Sequence, residues 1–143
     1  MTASPKTCFV GALWGSVAVA LSLALLVLVG QIPKAPYVGN WQSMVGGGWV
    51  VAAVLGGAAF ILIGALWGLP FSLVPNPTVL KGMLFGFVPA LFGWIVLPLV
   101  MGGELFGGFA LMALLIPFVM NVLIWGSLLG WYADRHTPDY AAA

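Results

Sequence analysis

Seven charged residues in 143, all at the edges of apolar stretches, constrain this chain more than any motif in it. Lys6, Lys34, Lys81, Glu104, Asp134, Arg135 and Asp139 bound uncharged gaps at 7–33, 35–80, 82–103 and 105–133. Each gap can hold the roughly 20 apolar residues that cross a bilayer core as a helix. With 63% hydrophobic residues, the chain reads as all-α, an integral membrane bundle of four transmembrane helices. At this length, residues 1–143 form a single membrane domain with no room for a separate soluble module.

Loop chemistry sets the expected bounds. Gln31-Ile32-Pro33-Lys34 closes the first helix. Pro36, Gly39, Asn40, Gln42 and Ser43 read as one loop, and Pro70, Ser72, Pro75, Asn76 and Pro77 as another. The helices are therefore expected at about 8–30, 45–69, 82–101 and 106–132. The first apolar run exceeds the 7–15 residues of a signal core and no A-x-A-like site closes it, so it reads as a retained helix.

Four crossings put both termini on one side. Lys6, Lys81 and Arg135 would share that side and Lys34 the other. The excess of basic residues on cytoplasmic loops then predicts cytoplasmic termini in a prokaryotic inner membrane, with Lys34 and Glu104 outside. The aromatic residues follow the same depths. Tyr37, Trp41 and Trp49 mark the outer end, and Trp14, Trp67, Trp125, Trp131 and Tyr132 the inner end, as interfacial anchors. Trp94 falls mid-helix and is expected to face lipid or a partner.

Twenty glycines suit a membrane bundle, where close backbone approach replaces the hydrophobic drive between helices. The small-xxx-small pairs are Gly11/Gly15, Gly64/Gly68, Gly82/Gly86 and Gly126/Gly130. Ala53, Gly57, Gly64 and Gly68 fall on one helical stripe. These glycines are the expected packing sites. Gly11–Gly15 with Gly82–Gly86, and Gly64–Gly68 with Gly126–Gly130, would also match as two repeated hairpins; duplication and coincidence account for this equally. Pro89, Pro98 and Pro117 each remove a backbone donor, giving a hinge or, more commonly, a fixed kink.

Little chemistry is on offer. The sole histidine, His136, lies in the polar tail, so two histidines cannot hold a haem between helices of this chain. Cys8 is the only cysteine, which excludes an internal disulfide and a cysteine metal cluster; it reads as a buried or interfacial thiol. Asp134, His136 and Thr137 read as a solvated tail and not a triad. A net charge of +1 offers no face for nucleic acid. No acid, base or histidine falls in the expected bundle interior, where ion-coupled transporters usually keep one. The polar candidates reduce to Ser16, Ser22, Asn121 and Ser127, and Asn121 is expected to make an interhelical contact. A lone carboxylate, Glu104, is a weak cation ligand set.

The second half resembles a group of small four-helix membrane proteins of unassigned function, broadly YagU-like. The residues that carry the likeness are Leu80-Lys81-Gly82-Met83-Leu84-Phe85-Gly86, Leu97–Gly107 and Trp125-Gly126-Ser127-Leu128-Leu129-Gly130-Trp131-Tyr132. These are packing motifs, and members often carry a histidine in the second or fourth helix that this chain lacks. The resemblance implies an architecture and no activity.

The expected role is non-catalytic: a small integral subunit packing against larger membrane subunits of a respiratory or photosynthetic complex. No cofactor is expected on side-chain ligands; any lipid, quinone, carotenoid or chlorophyll would sit at the edges by apolar contact. The alternatives are a small oligomeric transporter or channel and an assembly or insertion factor.

Overall fold

A computed structural model describes residues 1–138, so Asp139 lies outside the described residues. The chain is all-α, with four helices long and apolar enough to cross a membrane. They are α1 (Pro5–Leu28), α3 (Trp49–Trp67, continued by a 3-10 segment, Leu69–Leu73), α4 (Val79–Met101) and α5 (Leu111–His136). A nine-residue helix, α2 (Pro36–Met44), lies between α1 and α3.

Local sequence explains the ends. Ser4 caps α1 by accepting the Thr7 N–H at 3.0 Å, and Pro5 occupies the first turn, where no N–H is needed. The helix stops at Gly30, whose N–H donates to Val27 O at 3.1 Å while Gln31 N–H donates to Leu26 O at 2.9 Å. The stop thus comes before Pro33 and Lys34. Thr78 caps α4 by accepting the Lys81 N–H at 3.2 Å. The Lys81 ammonium then reaches back to Asn76 O at 3.0 Å and Pro75 O at 2.5 Å, holding the α3–α4 loop against its own helix.

Two segments depart from the sequence reading. The stretch expected as a loop at residues 36–43 is α2: Pro36 starts it, and packing of Tyr37, Val38 and Trp41 on the core outweighs its polar residues. Gly46 and Gly47, at φ 87° and 95°, then break the chain, so α3 begins at Trp49 and not near residue 45. The last helix begins at Leu111, not Phe106, because Phe106–Phe109 all have positive φ and form a left-handed turn. Gly107 and Gly108 take this conformation freely, whereas Phe106 and Phe109 each bear a cost of about 1–2 kcal/mol. Stacking of Phe106 on Phe109 (5.5 Å between centroids) and on Trp94 (5.8 Å) offsets part of it.

The first and last crossing helices form the centre. α1 lies against α5 mainly over Phe118–His136, with α3 on α1 and α4 on α5. Where α3 and α4 converge, rings fill the space: Trp67 meets Phe92 at 5.4 Å, and fully buried Phe71 meets Phe85 at 5.3 Å. Met1, the loop at 74–78 and the end of α5 share one end of the bundle; Lys34 and Glu104 lie toward the other. From 91 to 119 no residue is fully buried, although Ile116 packs against the core and Phe92 against Trp67.

Candidate functional site

The glycines mark where backbones touch. A Cβ on Gly82 would overlap Gly126 O and fall 2.6 Å from Gly130 Cα; one on Gly126 would fall 2.5 Å from Gly82 O. One on Gly86 would fall 2.9 Å from Val122 Cα, and one on Gly130 2.9 Å from Val79 Cα. These four positions form one seam, α4 against α5. On the α1 side, a Cβ on Gly11 would sit 3.0 Å from Tyr132 Cβ, and one on Gly15 would sit 2.9 Å from Trp125 Cδ1. Gly68 faces Cys8 O at 2.7 Å from the position of such a carbon, and Gly64 faces Ser16.

Gly57 differs. A Cβ there would meet only the Tyr37 ring, at 3.7 Å from Cε2 and 3.9 Å from Cδ2, ordinary contacts. The close approach lies one residue earlier at buried Gly56, where the same carbon would fall 2.6 Å from Tyr37 O and 2.9 Å from Trp41 Cβ. The partner is α2, whose residues are loop-like by composition, so the stripe through Ala53 and Gly57 turns to Ala52 and Gly56. Gly56→Ala should therefore lower the melting temperature by several degrees, while Gly57→Ala leaves it within about 1 °C. Equal melting of the two variants in thermal unfolding would contradict this placement.

The polar groups converge at one point. Ser16 is the only buried polar residue among those described, at 1% exposure. Its hydroxyl donates to Ala12 O at 2.8 Å and accepts the Trp125 Nε1–H at 3.2 Å, beneath Gly64 of α3. Trp125 is 3% exposed and stacks on Phe85 at 6.2 Å. It is a core ring, not the interfacial anchor expected from its depth. Its face also carries buried Val122, Leu129 and Ala133, a helical spacing that would have marked it in the sequence.

Asn121 does not bridge helices. Its Nδ2 donates to Pro117 O of its own helix at 3.0 Å, within a π-helical stretch, Phe118–Gly126. Ser22 and Ser127 do likewise, donating to Ala18 O and Leu123 O. Each deep polar side chain thus donates to a carbonyl four residues earlier. Trp94 also departs from expectation: its Nε1–H donates to Ala113 O at 2.9 Å. Pro117 lacks the N–H that would have bonded that carbonyl, so an indole from α4 fills the deficit and pins the kink.

Outside these seams, a furrow of about 450 Å³ lies between α1 and α5. Trp14 and Trp131 stand on its walls, 59% and 43% exposed. Among the described residues no group of three or more His, Cys, Asp or Glu is placed to hold a metal ion. The glycines of α1, α4 and α5 and the Ser16–Trp125 pair are points of close contact between helices. No protein-family model matches the chain, and searches of curated proteins and of solved structures gave no match.

Proposed function

We propose that the chain is a non-catalytic integral subunit that packs against larger subunits of a membrane complex, with respiratory and photosynthetic complexes the first to test. The observation that carries this reading is the outer α4–α5 hairpin. Leu99 and Val100 of α4, Phe109 of the connecting turn, and Leu111 and Met112 of α5 are all at least 60% exposed there, and no residue from 91 to 119 is fully buried. A transmembrane surface of this kind, next to a core closed by backbone contact, suits docking onto other helices. The hydroxyls of Ser16, Ser22 and Ser127 and the Asn121 amide nitrogen all donate to carbonyls of their own helices, which favours this reading over a transporter. The architecture implied by the YagU-like resemblance is compatible with it.

We place both termini in the cytoplasm of a prokaryotic inner membrane, with Lys34 and Glu104 outside. In gently solubilised native membranes the chain should migrate with a large complex, and a C-terminal tag should be reachable only from the cytoplasmic face. Migration alone or as a small homo-oligomer would overturn the subunit reading. Solute movement in liposomes by the chain alone, lost in a folded Asn121→Leu variant, would establish the transporter in its place.

A further inference from the structure

We infer that the furrow between α1 and α5 seats one acyl chain of an anionic glycerophospholipid, whose phosphate lies at Arg135 and Lys6. The site does not depend on the subunit reading.

The furrow's walls are Trp14, Val17, Ala18 and Leu21 of α1 against Leu128 and Trp131 of α5, with Tyr132 beside them. Its depth is set by the span itself. Leu21 lies well inside α1, far from either charged end, so an occupant must be apolar over that stretch. A volume of about 450 Å³ falls within the range of small-molecule sites.

Charge selects the headgroup. Arg135 follows Trp131 by one helical turn, and its guanidinium sits 5.1 Å from the centroid of that ring. The ring holds the cation at the mouth of the furrow. On the facing helix, Lys6 lies three turns before Val17 and shares its face by the helical period. Arg135 thus stands at the mouth of the furrow, and Lys6 lies exposed in the first turn of the facing helix, at the same end of the bundle. The acid beside them, Asp134, turns instead toward Asn76, Pro77 and Thr137, where it lines a separate small cleft. The mouth therefore favours a phosphate carrying net negative charge over a zwitterionic headgroup. Trp14 and Trp131 supply the amphipathic rings that suit the same depth.

The test is lipid retention by the full chain, purified in detergent, incubated with equal amounts of phosphatidylglycerol and phosphatidylcholine and weighed intact by native mass spectrometry. One basic residue at an anionic membrane surface corresponds to about a fivefold preference. Phosphatidylglycerol should be retained over phosphatidylcholine by at least that factor. Arg135→Gln should reduce the preference about fivefold, and Lys6→Gln with Arg135→Gln should abolish it, leaving phosphatidylcholine retention unchanged. Ala18→Trp, which fills the furrow, should lower retention of both lipids. If that variant does not fold, the exposed-residue variants still decide. Equal retention of the two lipids by the unaltered chain, or an undiminished preference in the double variant, would overturn the site. So would a dimer that forms through this furrow with no lipid retained.

Discussion

Gly82→Leu is expected to break the α4–α5 seam, at a cost of about 3 kcal/mol or more, the upper end of overpacking penalties. The penalty is large because the atoms met by a new Cβ are backbone: Gly126 O, and Gly130 N and Cα. No side chain can rotate away, so the helices themselves must separate. Cys8 provides the readout. It is the only cysteine and is fully buried against the core, so its reaction with a maleimide in mild detergent reports opening of the bundle. The original chain should label slowly and the variant rapidly. Equal labelling rates would show that the two backbones are not held together as described.

Trp125→Ala should cost about 3–5 kcal/mol, the usual range for emptying a buried aromatic site. Trp125→Phe should cost only about 1 kcal/mol. It retains contact with Phe85 and forfeits one interhelical hydrogen bond, and such bonds average about 0.6 kcal/mol in membranes. The Ser16 hydroxyl keeps Ala12 O as its partner in either variant. Chemical unfolding in micelles separates the two contributions. A phenylalanine variant as unstable as the alanine variant would mean that the Ser16 bond, not ring packing, dominates the node.

The class of fold was readable because charge is so costly in hydrocarbon that seven residues mark the span edges. What the sequence concealed lies where tertiary contact overrides local chemistry. Residues 36–43 carry Gly39, Asn40, Gln42 and Ser43, which are loop-like by composition, yet Pro36 and the packed face of Tyr37 and Trp41 make them helical. That omission hid the partner of Gly56 and left Gly57 in its place. Likewise, a mid-helix indole such as Trp94 looks lipid-facing until the donor missing at Pro117 on another helix is matched to it. Glycine spacing indicated close approach at Gly82, Gly86, Gly126 and Gly130, but which helix each one meets follows only from the three-dimensional arrangement. The furrow at Trp14 and Trp131 was hidden for the same reason, since its walls come from opposite ends of the chain.

That pairing of the first and last crossing helices has a consequence for biosynthesis. A ribosome delivers the chain from its N-terminal end at about 5–20 residues per second, so α1 enters the bilayer several seconds before α5. Throughout that interval Gly11, Gly15 and Ser16 face the place where Tyr132 and Trp125 will later sit, and α4 lacks the helix against which its glycines fit. The bundle therefore closes only after the last span has been released. Until then lipid, the insertion machinery or another membrane chain must cover the α1 face, and a chain terminated before residue 111 never acquires its core.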